Sequence, residues 1–527
     1  MKLKLTDIAD NEFWLNNDII PPKFNINDMK TETYKNPEWV HFGSGNIFRG
    51  FIGSIIQRLL NAGEMKTGII AVETFDFEII DKIYKPYDNL TLNILLDKNS
   101  GTRKEILAGI ADGVKSCEYE KLCTIFEKPS LKMASYTITE KGYAIKKADG
   151  DYTDIVKCDI ENGPVKPIHA MSITTSLLYH RYKNGAFPVA IVSMDNCSHN
   201  GEKLQASVMT IAEEWIQHKK VDSEFLDYLK TKVSFPWSMI DKITPRPSDK
   251  IKDKINTLGI EDMDPVITSK GTYIAPFVNA EVPEYLVVED NFPNGRPPLE
   301  DAGVYMTTRD IVNKSETMKV TSCLNPLHTA LAVYGCLLGY TKICDEMKDA
   351  DLVRLVKQIA NEGMKVVINP EIIDPQKFVN EVINDRLPNP NIPDSPQRIA
   401  TDTSQKVGIR YGETIKAYMS APDLNTADMT AIPIAIAGWL RYIVGVDDDG
   451  KRFERSSDPM LDYLTKKFDG ITLGNPASAL GKLNDILSDK KLFGVNLYNA
   501  GIGEKIENYF YKMLEGKGAI RKLLQSI

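Results

Sequence analysis

Apolar residues fall into two textures along this chain. Up to about residue 307, short β-branched runs alternate with amphipathic stretches; from Thr308 onward the spacing is that of long helices. Glu38-Trp-Val-His-Phe predicts a short strand that breaks at Gly43. The stripe Ile47, Phe48, Phe51, Ile52, Ile55, Ile56, Leu59 and Leu60 then recurs at helical spacing. Thr67-Gly-Ile-Ile-Ala-Val-Glu-Thr predicts a second strand ending at Glu73, and Lys132-Met-Ala-Ser-Tyr-Thr-Ile another, with Thr139-Glu-Lys-Gly as its loop. Met171–Asn184 reads as a crossover helix. The strand after it, Phe187-Pro-Val-Ala-Ile-Val-Ser-Met-Asp-Asn, delivers Asp195 and Asn196 to its C-terminal end. A helix from Gly201 to about Lys220 follows; Trp237-Ser-Met-Ile-Asp then sets Asp241 at a strand end, and the strand from Tyr285 runs into a turn-rich bridge. Beyond it, Asp351–Ile368, Gly412–Met419 and Ile502–Leu524 are helical patterns, interrupted by a proline-rich loop at Asp385–Arg410.

Strand, glycine turn and helix make the first half of a dinucleotide-binding unit. Gly43 permits the tight turn, and Gly45 lets backbone approach a pyrophosphate at the helix N-terminus. The candidate cofactor loop is therefore Gly43, Gly45, Asn46, Ile47, Phe48 and Arg49, although Phe48 stands where a third glycine is usual. An acid ending the second strand, Glu73, is placed to bond the adenosine ribose hydroxyls and to repel a 2′-phosphate, which selects NAD over NADP. Glu73 lies 28 residues beyond Gly45, more than the usual spacing of about 20, and a turn with a solvated carboxylate would give the same letters. The fold class expected is α/β: a Rossmann-type dinucleotide-binding domain over 1–307, then a mostly α-helical domain over 308–527.

Composition narrows the function classes. With 43% hydrophobic and 26% charged residues the chain is an ordinary globular one, long enough at 527 residues for two cores. A net charge of −8 offers no basic face to nucleic acid. The longest apolar runs, Ala330–Tyr340 and Ile432–Leu440, are too short to span a bilayer. Seven scattered cysteines and no signal-like N-terminus suit a cytoplasmic protein. Six dispersed histidines give no zinc spacing, so metal-free chemistry is expected. A monomer or small homo-oligomer is equally compatible with these letters.

Glu316-Thr-Met-Lys-Val-Thr-Ser-Cys-Leu-Asn-Pro-Leu-His sets a lysine, an amide and an imidazole before an apolar helix. Lys319 has two readings: a buried stem with an amine that snorkels to water, or a desolvated amine serving as acid–base.

Taken in order, His41-Phe-Gly-Ser-Gly-Asn-Ile-Phe-Arg-Gly, Thr139-Glu-Lys-Gly-Tyr, Ser193-Met-Asp-Asn, Met239-Ile-Asp-Lys-Ile-Thr-Pro, Glu289-Asp-Asn-Phe-Pro-Asn-Gly-Arg-Pro and the Lys319 stretch resemble the polyol-specific long-chain dehydrogenase/reductase, or mannitol dehydrogenase, family. The resemblance runs from about Trp39 to Arg410. It implies metal-independent ketone/alcohol redox chemistry with NAD on a small keto-sugar acid or polyol. It gives Lys319 the role of general acid/base; Glu316, one helical turn before it if the helix starts early, is placed either to relay that proton to solvent or to serve as a surface ion-pair partner. Asn196 and Asn325 become amides on the substrate oxygen, His328 orients a hydroxyl, and Arg398, Lys406 and Asp241 bind substrate. Asn325-Pro-Leu-His-Thr and the long lead-in look more like the fructuronate reductases than the mannitol enzymes, with tagaturonate, neutral polyols or a non-catalytic nucleotide sensor as alternatives.

Two departures stand out. The family places its lysine five residues before the asparagine; Lys319 precedes Asn325 by six. Pro326 also replaces a common glycine. One extra residue in a continuous α-helix would rotate the lysine by about 100°. The helix is therefore expected to start near Leu324 or Asn325, with Pro326 in its first turn and Lys319 on an extended segment before it.

Overall fold

The computed structural model describes residues 1–98 and 101–527 and divides into two compact units, Met1–Asn313 and Lys314–Ile527. That division falls inside the helix Arg309–Thr317, a few residues beyond the change of texture at Thr308.

The first unit is built on six strands: β1 Trp39–Phe42, β2 Ile69–Glu73, β3 Ile110–Lys115, β4 Met133–Tyr136, β5 Val189–Ser193 and β6 Val233–Ser234. All neighbours pair in parallel, in the order β3-β2-β1-β4-β5-β6. This is the doubly wound dinucleotide-binding order, whose direction of growth reverses between β1 and β4. The strands read as apolar runs because both faces are covered. Val40, Phe42, Ile70, Val72, Ala134, Tyr136, Val189 and Ile191 enter one core, with helices Tyr119–Phe126, Ala170–Lys183 and Asn200–Gln217. Their neighbours Trp39, Ile69, Ala71, Met133, Ala190 and Val192 enter the other, against the helix ending at Ala62.

A second sheet was not anticipated. Thr91–Asp97 and Gly101–Leu107 pair antiparallel between β2 and β3 in sequence; Phe277–Glu281 joins one edge and Ile19–Ile20 the other. A third, of three strands, pairs Ser238–Asp241 with Tyr285–Glu289 and then Tyr305–Thr307. Thr139–Tyr143 is a short helix rather than a loop.

The second unit is helical. Asn325–Leu337 and Ala431–Ile443 are buried on nearly every side, the mark of central helices. They approach closely at Gly438, where an added Cβ would stand 2.6 Å from the Tyr334 ring. The expected helix over Ile502–Leu524 is two, Gly503–Met513 and Ala519–Gln525, parted at Gly516 and Gly518. The Asp385–Arg410 stretch is not plain loop: it holds Pro396–Ile399, the 3-10 turn Thr403–Gln405 and the start of a π-turn at Gly408–Gly412. Among the described residues no helix is long and apolar enough to cross a membrane.

Gly43 carries the tightest constraint at the end of β1. Its φ is +100°, and an added Cβ would lie 2.2 Å from the Thr137 carbonyl oxygen, which is backbone and cannot yield cheaply. Gly43→Ala should therefore lower stability by at least about 2 kcal/mol, read as an earlier midpoint in urea unfolding. An unchanged midpoint would mean that the β1–β4 junction gives way.

Candidate functional site

At the C-terminal edge of the parallel sheet, Gly43 donates its N–H to the Val72 carbonyl at 2.8 Å. Nothing lies within 4 Å of a Cβ on Gly45. The first turn of the following helix closes from Arg49 N–H to the Gly45 carbonyl at 3.1 Å. The amides of Asn46, Ile47 and Phe48 thus belong to the helix end that has no intrahelical acceptors.

The side chains of this loop face elsewhere. Phe48 is buried and stacks on His41, ring centroids 4.1 Å apart. His41 is held at Nδ1 by the Ser135 hydroxyl (2.6 Å) and at Nε2 by that of Thr137 (2.8 Å), and burial pushes its pKa well down. Arg49 is buried too: Nη1 donates to the Ala275 carbonyl at 2.8 Å and Nη2 to Asn46 Oδ1 at 2.8 Å. Burial draws the Arg49 guanidinium down to about 10.

Glu73 is buried at the end of β2. Its Oε1 accepts the amides of Thr74, Phe75 and Asp76 at 3.1, 2.9 and 3.2 Å; its Oε2 accepts the amide and hydroxyl of Ser44. The carboxylate therefore ties the glycine turn to the second strand. Beside it Phe75 is exposed, an aromatic that sequence reading passed over.

At the ends of β4 and β5, Asp195 accepts the amides of Ile138 (2.8 Å) and Thr139 (3.0 Å) and the Tyr143 hydroxyl (2.6 Å). Burial nevertheless raises its pKa, outweighing those three donors. Asn196, next along, is exposed. Buried Asn200 braces this loop, donating to the Asp195 carbonyl (2.9 Å) and the Ser238 carbonyl (3.0 Å), and accepting the Ser238 amide at 3.0 Å. Asp241, in the strand Ser238–Asp241, is buried. Its neighbour Lys242 pairs with Glu284 at 2.7 Å.

In the second unit Lys319 does not sit on an extended segment. It is 2% exposed and lies in a π-helical turn, Met318–Cys323. The Leu324 amide donates to the Lys319 carbonyl at 3.1 Å, five residues back. Such a turn absorbs one extra residue while keeping Lys319 in helical backbone. The following helix does start at Asn325, with Pro326 in its first turn.

The Arg398–Arg410 stretch is tied to this segment. Asp394 Oδ2 lies 2.9 Å from His328 Nε2, an ion-pair approach that falls short of a straight hydrogen bond. Its Oδ1 accepts from Arg398 Nε (3.2 Å) and Nη2 (2.6 Å). Arg410 donates to the Thr329 hydroxyl, which donates to the Asn325 carbonyl at 2.8 Å, and Tyr411 donates to the Pro326 carbonyl at 2.9 Å. Lys406 donates to the Thr401 carbonyl. Burial first, then the Arg410 charge, lower the Lys406 pKa, and burial draws Arg410 down to about 10. For Asp394, burial acts upward, but His328 and Arg398 together outweigh it and hold the carboxyl below its ordinary value.

Two of these residues were missed. Asp394 had a usable signal, its i,i+4 spacing to Arg398. Glu346 had none: it ends the short helix Ile343–Glu346 with both oxygens buried and unpartnered, close enough to Gly335 that an added Cβ there would meet Oε1. Among the described residues no group of three or more His, Cys, Asp or Glu side chains could hold a metal ion.

Residues 37–301 match the family model described as the mannitol dehydrogenase Rossmann domain, and residues 312–513 that of the mannitol dehydrogenase C-terminal domain. The chain is 51% identical to the D-mannonate oxidoreductase of Thermotoga maritima, covering 100% of this chain and 99% of that protein. A substrate-free D-sorbitol dehydrogenase crystal structure shares 25% identity with a TM-score of 0.79, covering 99% of both chains. Mannitol 2-dehydrogenase of Pseudomonas fluorescens, solved with NAD and D-mannitol, shares the fold at a TM-score of 0.73, with 22% identity and 100% of both chains covered.

Burial, then the charges of Asp394, Asp349 and Asp345, push the Glu346 carboxyl up to about 9. Between the ordinary glutamate range and that value the folded chain keeps a proton that the unfolded chain has released. Stability must then fall as pH rises through this window, by up to about 1.4 kcal/mol per unit. Glu346→Gln removes the titration, so its stability relative to wild type should be greater near about pH 8 than near about pH 5, measured by urea unfolding. Equal differences at both values would mean that Glu346 ionises in the folded chain.

Proposed function

The chain belongs to the mannitol dehydrogenase family, and on that premise we propose that it is an NAD-dependent oxidoreductase interconverting D-fructuronate and D-mannonate. The observation that carries this reading is 51% identity, sustained over the whole chain, to a D-mannonate oxidoreductase.

The first unit has what a dinucleotide needs. The reversal of strand order between β1 and β4 makes a crevice at their C-terminal ends, and the open Gly45 leaves backbone amides at a helix N-terminus to receive a pyrophosphate. Since Phe48 and Arg49 are turned into the protein, that contact falls to main chain. Glu73 orders the turn with both oxygens already engaged, so a ribose hydroxyl shares an acceptor there while a 2′-phosphate meets negative charge. Phe75 offers an exposed ring to the adenine.

When bound, NADH supplies the hydride that reaches the carbonyl carbon. Charge then gathers on the carbonyl oxygen, where Lys319 gives a proton in reduction and withdraws it in oxidation. Asn325 donates an amide N–H to that oxygen, and such a donor stabilises the developing alkoxide. His328 orients a neighbouring hydroxyl, and Arg398 and Lys406 receive the hexuronate carboxylate.

Following NADH absorbance with fructuronate, tagaturonate and fructose tests the assignment. Fructuronate should be reduced fastest, and NADPH should serve poorly. A preference for fructose would make the protein a polyol dehydrogenase, and no turnover with any keto-sugar would favour a nucleotide sensor. Lys319→Ala should lose turnover by about 10²–10⁴-fold while NADH binding, followed by fluorescence, is retained. Near-normal turnover would move the acid–base role to another group.

A further inference from the structure

We propose that Asp394 is a positioning residue that fixes which edge of Arg398 meets a substrate carboxylate, and so sets preference for a charged sugar over a neutral one. The inference rests on the hexuronate reading above.

A guanidinium can grip a carboxylate along two edges: side-on through Nε and one Nη, or end-on through both Nη atoms. Asp394 takes the side-on edge, since its Oδ1 accepts from both Nε and Nη2. The end-on edge remains, on a side chain that is 65% exposed. A uronate carboxylate therefore meets Arg398 end-on, and the tether removes the swing that a long exposed side chain otherwise keeps.

The geometry that supplies this tether is itself fixed. Asp394 is 7% exposed, and its carbonyl accepts the Ile343 amide at 3.1 Å. Arg398 follows four residues later on the helix Pro396–Ile399, where the Ser395 hydroxyl accepts the Arg398 amide at 3.3 Å. That helix approaches Asn325–Leu337 closely: a Cβ on Gly335 would stand 2.9 Å from Pro396. His328 projects from the same helix as Gly335, and its Nε2 lies 2.9 Å from Asp394 Oδ2. The imidazole makes no straight hydrogen bond to it, so the side chain that this carboxylate holds is the guanidinium.

The test measures kcat and KM for fructuronate and fructose in wild type, Asp394→Asn, Arg398→Leu and the double variant. Asp394→Asn should raise KM for fructuronate about tenfold, a shift of about 1.4 kcal/mol, and change kcat and the fructose KM less than about threefold. In the Arg398→Leu background the same substitution should add almost nothing, because Asp394 acts through the arginine. Equal losses on both sugars, or effects that multiply in the double variant, would overturn the assignment and leave Asp394 a fold-holding residue. If Asp394→Asn melts below the assay temperature, Asp394→Glu decides by the same comparison, since it keeps the charge but displaces the edge. A wild type inert towards fructuronate overturns the substrate reading and this inference together; an active wild type with multiplying losses overturns this inference alone.

Discussion

The amide of Leu324 reaches the Lys319 carbonyl five residues back, and Pro326 is the reason that the regular ladder cannot pass through. Proline has no N–H to offer the Ser322 carbonyl, and its ring crowds the turn before it. Leu324 leaves helical geometry with φ −127° and ψ −61°, and the chain re-enters a helix at Asn325. The wide turn and the proline are therefore one device. It keeps Lys319 in a helical wall, buried, and starts the next helix so that Asn325 and His328 fall within a single turn. Three polar ties meet at this junction: Tyr411 holds the Pro326 carbonyl, Thr414 the Thr321 carbonyl, and Arg410 the Thr329 hydroxyl.

In the first unit a carboxylate does comparable work. Glu73 gathers five donors from two loops, so the glycine turn after β1 and the turn after β2 form one rigid rim. A buried carboxylate tolerates such a place only when its oxygens are filled. The filling shapes the rim: Ser44 is drawn toward β2, which leaves Gly45 outward with open space over it. With the side chains of Ser44, Phe48 and Arg49 engaged within the protein, the loop offers a ligand chiefly main chain, and main chain suits a pyrophosphate.

What could be read from the letters follows from how locally each feature is determined. Strands buried on both faces give unbroken apolar runs, so β1, β2, β4 and β5 were legible, as was the glycine turn. The second sheet carried a local signal that was overlooked, since Leu92, Ile94 and Leu96 alternate into its core; its partner Phe277–Glu281 is remote in sequence and had none. The start of the helix at Asn325 followed from Pro326, but the state of Lys319 did not. An extended segment and a π-turn both absorb an extra residue, and only packing against Gly408–Gly412 and Ala350–Met364 selects the second. Asp394 was overlooked because a proline-rich stretch reads as connection, although its i,i+4 spacing to Arg398 was there to be used.

The charges of the second unit obey a simple limit. Glu346 is held neutral first by burial and then by the charge of Asp394 beside it. Asp394 has His328 and Arg398, so it keeps its charge. Glu346 has neither, and its oxygens rest against the helix at Gly335, so it keeps its proton. This division leaves Asp394 charged beside His328 and Arg398, while Asp402 and Asp458 act on Lys406. These cations are set against nearby acids, so recognition of an anion at such a segment rests on directed N–H groups rather than on an excess of positive charge.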